Sequence, residues 1–290
     1  MEFTRRFLFH GNAAAIGGRI VRHQTNKPID LVIDSTCESS LMPVGGRSHS
    51  KVKGKSYEGL VSFSAASTIA EGLFDNHRRA VQASYGRVPE DSQIATTRVS
   101  AEIHDVVVGT GPTLKVKLLR ATLHSLSPLG SGQPSIRPVD ARKQTAIEGV
   151  FIDGHELLVE LNLPVFKQYD TQAKLLTAVD NANFVKSHGH CFFLRTGVDR
   201  RTPPQAGRLV TSHQHIHATV VGKLRWRSKP FPGARIDHNS VKIPKFGKVF
   251  FGEILISDRA RRLTMMRVKL GSPIGGDLAF DSVEPNGVWS

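Results

Sequence analysis

Between His213 and Lys229 the chain sets three histidines and four cations at alternating positions. His213, His215 and His217 share one parity with Thr219, Val221, Lys223, Arg225, Arg227 and Lys229. The opposite parity carries Gln214, Ile216, Ala218, Val220, Gly222, Leu224 and Trp226. Successive side chains of an extended strand point to opposite faces. The pattern therefore predicts a ribbon whose apolar side packs on a core while imidazoles and cations face water. Cations at i and i+2 on a strand stand about 7 Å apart, a spacing that roughly tracks the phosphates of a nucleic acid strand. Lys223, Arg225, Arg227 and Lys229 are accordingly the candidate anion-binding residues. The competing reading is an edge strand whose cations only discourage aggregation. Trp226 falls on the inward parity and is not offered to bases, and a bulge at Gly222 would send the cations to the opposite face from the histidines.

The same histidines suggest a second chemistry. Neutral imidazole is a common metal ligand, and two histidines at i and i+2 can reach one ion. His213 and His217 lie about 13 Å apart along an extended strand, so a site would use two of the three. It would recruit further ligands such as His188 or His190, with Asp237 as a carboxylate partner. A divalent metal is the one cofactor this suggests. Without a metal, clustered histidines make a basic face that gains charge below about pH 6.5.

Other familiar chemistry is absent from the sequence. There is no Walker-type phosphate loop, no GxGxxG, no GxSxG elbow, and His155-Glu156 lacks the second histidine of a metalloprotease helix. The carboxylate pairs Glu148/Asp153 and Glu156/Glu160 read as solvated positions. Gly17-Gly18-Arg19, Gly45-Gly46-Arg47 and the stretch 271–277 read as tight turns more simply than as anion nests.

Charge is unevenly placed. The chain carries a formal net charge of +14, and from Arg195 to Lys269 it holds 17 Lys or Arg against Asp199, Asp237, Glu253 and Asp258. The remainder is close to neutral. A concentrated positive field raises the local concentration of polyanions whatever fold lies beneath it.

The elements that must position these residues read as a mainly β, antiparallel fold with one or two helices. Expected strands are 2–9, 29–33, 60–64, 99–108, 114–124, 156–161, 191–194, 209–226, 248–256 and 263–270. Loop-like composition marks 37–58, 130–139, 199–207 and 229–239. A helix follows Pro164, where Phe166, Tyr169, Ala173 and Leu176 recur at helical spacing, and a shorter one is expected near 76–84. Two hairpins stand out, 99–108 with 114–124 and 248–256 with 263–270. Glu102-Ile103 matches Glu253-Ile254, Lys115 to Leu118 matches Arg267 to Leu270, and Leu60 to Ser62 matches Leu209 to Thr211, all at an offset of 149–152 residues. A near-constant offset is what internal duplication leaves, and hairpins also converge on such patterns. The resulting domain plan is an N-terminal β unit 1–141, a connecting segment with the helix 142–188, and a basic C-terminal β unit 189–290, which can also pack as one domain.

No stretch holds the roughly 18 to 20 apolar residues of a membrane-spanning helix. Thr4 to Phe9 offers an arginine pair without the apolar region of an export signal. Two cysteines, Cys37 and Cys191, supply neither a disulfide framework nor a zinc ribbon, although one bridge between them is open. These features lead us to expect a soluble, cytoplasmic protein. Three functions fit: a non-enzymatic binding or assembly protein that contacts a polyanion such as nucleic acid through its C-terminal half, a metal-dependent enzyme built on His213, His215 and His217, and a structural protein forming homo-oligomers through strand edges.

Overall fold

The computed structural model describes residues 6–22, 29–74, 93–109, 111–129, 133–140, 144–193, 215–271 and 274–289. The expected helix near 76–84, the third duplicated match at 209–211 and His213 lie outside these residues.

Long apolar alternation and scarce helical periodicity produce antiparallel strands almost throughout. Two hydrogen-bonded sheets result. Sheet A contains β1 (Phe7–Arg22), β2 (Ile29–Ser40), β10 (Phe192–Phe193), β11 (Ile216–Thr219), β13 (Arg235–Asp237), β14 (Ser240–Ile243), β15 (Gly247–Ile256), β16 (Arg261–Leu270) and β17 (Gly275–Trp289). Its order is β10-β11-β15-β16-β17-β1-β2, with β14 pairing the other end of β15 and β13 pairing β14. Sheet B contains β3 (Gly46–Tyr57), β4 (Val61–Phe74), β5 (Ile94–Gly109), β6 (Thr113–Pro128), β7 (Ser135–Pro138), β8 (Ala146–Ile152), β9 (His155–Leu161) and β12 (Val221–Trp226). Its order is β12-β9-β8-β6-β5-β4-β3, with β7 beside β6.

The sheets stack, with β1 and β17 facing β4, β5 and β6. One buried cluster runs through both inner faces, from Ile16 and Phe280 to Val99, Leu119 and Leu157. The N-terminal strand β1 pairs along its length with the C-terminal strand β17, so residues from both ends of the chain share sheet A and this core.

A transverse row of irregularity crosses each sheet. In sheet A it passes through Gly252, Met265, Asp281, Ala15 and Cys37, and alternate members, Gly252, Asp281 and Cys37, have φ of 58°, 49° and 60°. In sheet B it passes through Gly54, Ser64, Asp105, Lys117 and Gly149, with φ of 50° at Asp105 and 62° at Gly149. A left-handed residue in a strand moves the inward set by one position and bends the sheet. On β5 the buried set thus changes from Val99, Ala101 and Ile103 to Val106 and Val108, and β16, between the left-handed Gly252 and Asp281 of its neighbours, changes from Leu263 and Met265 to Met266, Val268 and Leu270.

Both expected hairpins form, as β5-β6 and β15-β16. Their matched residues take different rungs. Glu102 faces Arg120 and precedes the irregular row at Asp105, whereas Glu253 faces Thr264 and follows the row at Gly252.

Other expectations are corrected. The loop expected over 37–58 contains β3, whose Lys, Ser and Gly content hides a strand that is an exposed sheet edge. Gly17 and Gly18 lie inside β1, and β17 begins at Gly275. The expected single helix is three short ones, α1 (Leu163–Gln168), α2 (Gln172–Val179, capped by Thr171) and α3 (Ala182–His188, capped by Asn181). Cys37 and Cys191 are free, buried thiols, and no bridge joins them.

The helical segment is anchored by an ion buried in the core. Arg261, 1% exposed, donates from Nη1 to the Phe166 carbonyl at 3.3 Å and from Nη2 to the Tyr169 carbonyl at 2.6 Å. Burial lowers its pKa to about 10, with Asp170 opposing the shift. Asp170 in turn accepts from Ser135 Oγ at 2.6 Å and Lys174 Nζ at 2.8 Å. Among the described residues no helix is long and apolar enough to cross a membrane.

Candidate anion-binding face

The segment expected as one continuous ribbon is broken at Val220. Ile216 to Thr219 form β11 in sheet A, and Val221 to Trp226 form β12 in sheet B. Val220 lies on the irregular row, donating its N–H to the Gly252 carbonyl while its own carbonyl accepts from Asn162 N–H. The register also shifts between Val221 and Lys223, so the bulge considered at Gly222 is present. His217 and the cations Lys223 and Arg225 therefore belong to different sheets. Thr219 and Val221, expected outward, are buried, whereas Ile216, Ala218 and Leu224 pack inward as expected.

On β12, Lys223 and Arg225 are exposed, and Arg227 and Lys229 follow the strand in solvent. Two of the four cations are neutralised from within. Arg225 Nε donates to Glu160 Oε1 at 2.8 Å, and Arg227 Nη1 lies 3.1 Å from Glu156 Oε2. The carboxylates read as bystanders are thus the arginines' partners. Lys223 and Lys229 have no ion pair among the described residues.

The remaining histidines are not gathered with other ligands. His215 is exposed, His217 is half-buried, and no group of three His, Cys, Asp or Glu side chains able to hold a metal occurs among the described residues. Asp237 accepts from Lys248 Nζ at 3.0 Å instead of joining the histidine cluster. His188 is held below the usual imidazole range by burial and by His190.

The structure assembles a different cationic site from the same basic half of the chain. One rung across the outward face of sheet A runs Arg235, Lys242, Lys248, Lys269, Asp277, Arg19, each the direct cross-strand neighbour of the next. Four consecutive cations thus stand on four adjacent strands. Their outward direction follows from their neighbours, since Val241, Ile243, Val249, Val268 and Leu270 are buried. Lys245, in the β14–β15 turn at φ 60°, adds a fifth cation. Lys242, Lys245, Lys248 and Lys269 line a shallow depression of about 680 Å³ floored by Ile243, Phe246, Gly247 and Gly271.

Within this group Lys248 alone has a carboxylate partner, Asp237; Arg235, Lys242, Lys245 and Lys269 make no ion pair among the described residues. The next outward rung contributes an aromatic ring. Phe250 has Lys248 Nζ 4.9 Å and Arg267 Cζ 4.2 Å from its centroid. Arg267 is held by Glu253 at 2.7 and 2.9 Å and by Asp277 at 3.4 Å, and hydrogen bonding to Glu253 raises its pKa. Like charges directly opposite one another on adjacent strands destabilise a sheet, each pair by roughly 1 kcal/mol or less at the surface. The row has three such contacts, and Asp237 on Lys248 and Asp277 opposite Lys269 offset part of their cost.

Sequence parity could not find this rung, because its members come from four strands and only register brings them together. Residues 7–257 match a family described as a domain of unknown function, DUF8256. The chain belongs to the DUF8256 family. The match ends just past β15, so Lys242 and Lys248 fall inside the family's span and Lys269 outside it. No curated protein matches the chain.

A smaller recess of about 310 Å³ opens on sheet B, lined by Glu71, Leu73, Thr96, Arg98, His124, Val139 and Gln144. Arg98 donates to Gln144 Oε1 at 2.9 Å there. Its carboxylate makes it a poorer anion site than the sheet A face.

Proposed function

We propose that this DUF8256 protein is a non-enzymatic binding protein that captures a polyanion, with the phosphodiester backbone of single-stranded nucleic acid the chemistry that fits best. The observation that carries this reading is the rung Arg235–Lys242–Lys248–Lys269. It sets cations about 5 Å apart across four strands, with most of them free to exchange water for an anion. Phe250 favours nucleic acid over a plain anionic polymer only by its place on the charged face, since a base would stack on its ring by displacing Lys248 or Arg267. Lys223 and Lys229 are secondary contacts, and the paired Arg225 and Arg227 contribute little.

A salt-series filter-binding titration tests the reading, using thirty-nucleotide dT, a duplex of equal length, and heparin. Retention of dT that falls steeply between 50 and 200 mM salt is expected. Retention that is absent, or indifferent to salt, removes the proposal. Heparin bound as tightly as dT at matched charge would replace nucleic acid with a general anionic polymer.

A further inference from the structure

Outside the basic C-terminal half the chain is nearly neutral, yet one strand there is strongly basic. Arg47, Lys51, Lys53 and Lys55 all lie on β3, which contains no acidic residue. β3 is the outer strand of sheet B, hydrogen-bonded on one side to β4 only. Arg47, His49, Lys51 and Lys53 share one parity and are exposed, while Val52 packs toward the core and Tyr57 is buried. Successive members of the stripe stand about 7 Å apart.

The lateral neighbours of the stripe do little to neutralise it. On β4, Lys51 faces Ser67, Lys53 faces Ala65 and His49 faces Ile69; only Arg47 faces an acid, Glu71. One strand further in, Glu102 is already engaged by Arg120 and His104, each at 2.5 Å. Burial pushes the Glu102 carboxyl up, but these hydrogen bonds outweigh it and hold the group below the ordinary range. Arg47, Lys51 and Lys53 make no ion pair among the described residues. Lys55 lies past the irregular row, its ammonium 4.8 Å from the Tyr57 ring centroid.

The stripe and the sheet A rung look in opposite directions. The stripe is on the outward face of sheet B and the rung is on the outward face of sheet A, with the shared core between them. Stacked sheets are about 10 Å apart before side chains are added. The two surfaces are also offset laterally, since the rung's members on β14 to β16 stand three to five strand spacings from β2, the sheet A strand in contact with β3, or on the order of 15 to 25 Å. A straight polyanion segment cannot touch both.

We infer that β3 is a second polyanion-binding surface, so that one protein molecule bridges two segments of nucleic acid strand. This rests on the binding reading above and adds its valency. Where both segments belong to one strand, engagement of the first raises the effective concentration of the second.

Bead capture separates the two claims. Biotinylated thirty-nucleotide dT is immobilised, protein is added below saturation, and a fluorescent free dT of the same length follows. Protein retention reports binding, and fluorescent co-retention reports bridging. Wild-type protein is expected to give both. R47E/K51E/K53E, first checked for an unchanged thermal midpoint, should stay on the beads within about twofold while co-retention falls at least about tenfold. K51Q/K53Q should give an intermediate loss, which guards against a folding artefact of charge reversal. Wild-type retention without co-retention overturns the bridging inference and leaves binding intact. Equal co-retention by the β3 variants, together with self-association of K51Q/K53Q in light scattering, would mean that these lysines only guard an open strand edge. Loss of wild-type retention itself overturns the binding reading and bridging with it.

Discussion

Lys242 on β14 is the cross-strand partner of Lys248 on β15, so two ammonium groups share one rung of sheet A, and Lys248 meets Lys269 on its other side. The sheet holds like charges side by side where a polar or acidic residue would be more stable. Lys242 stands between Arg235 and Lys248, and Lys242→Glu should therefore raise stability by about 0.5 kcal/mol and weaken dT binding severalfold. Paired urea-unfolding and filter-binding measurements check both effects. A substitution that changes neither would show that Lys242 is solvated independently of its neighbours.

Asp281 is the least satisfied group of the core. It is fully buried on the central strand β17 at φ 49°, and neither carboxyl oxygen has a well-aligned hydrogen-bond partner, the Ile103 N–H being its nearest donor of consequence. Burial pushes its carboxyl well above the usual range, Glu102 adds to the shift, and the Ile103 backbone and Arg120 oppose it. A raised folded-state pKa means that the native form holds the proton more tightly than the unfolded chain. Its contribution to stability is thus complete below the unfolded value of about 4 and lost as pH rises through the folded value. Asp281→Asn keeps a residue that tolerates the left-handed backbone and removes the charge. It should be more stable than wild type at pH 8, by roughly 1–3 kcal/mol, with the difference shrinking toward pH 4. Urea midpoints for both proteins at pH 4, 6 and 8 decide; a constant difference contradicts the assignment.

Arg261 holds the end of α1 through two carbonyls and stands near the buried Asp170. Arg261→Ala leaves the Phe166 and Tyr169 carbonyls without their donor, at a cost of about 2–5 kcal/mol. Native-state proteolysis should show earlier cleavage within 163–191 than elsewhere. Cleavage distributed over the whole chain would argue that the anchor stabilises the sandwich instead of the helices.

Both thiols are expected to be silent in the native state. Burial raises Cys191 to about 11, Asn162 opposing, and Cys37 donates to the Ser50 carbonyl at 3.4 Å. Titration with a chromogenic disulfide should detect no thiol before denaturant and two after it. Prompt native reaction of either cysteine would contradict the packing.

Much of the fold was legible because strand periodicity and turn residues are local signals. The β5-β6 and β15-β16 hairpins follow from apolar alternation on either side of a turn. What failed has a common physical cause. Left-handed residues such as Asp281 and Asp105 change which parity is buried partway along a strand, and no propensity marks them. Val220 carries the chain from one sheet to the other without a glycine or proline of its own. β3 escaped notice because an exposed edge strand needs few apolar residues, and β17 because it opens on two glycines. For the candidate site, composition identified the basic half of the chain but not the surface. Parity selected Arg225 and Arg227, whose partners Glu160 and Glu156 come from the neighbouring strand β9 and are invisible to a reading of one strand.

The most direct test compares the salt dependence of dT binding for K242Q/K248Q/K269Q, R225Q/R227Q and wild-type protein. If the sheet A rung contacts phosphates, the slope of log K against log salt should shrink by about 2 in the lysine variant, while the arginine variant stays near wild type. Equal slopes for wild type and the lysine variant would contradict the account.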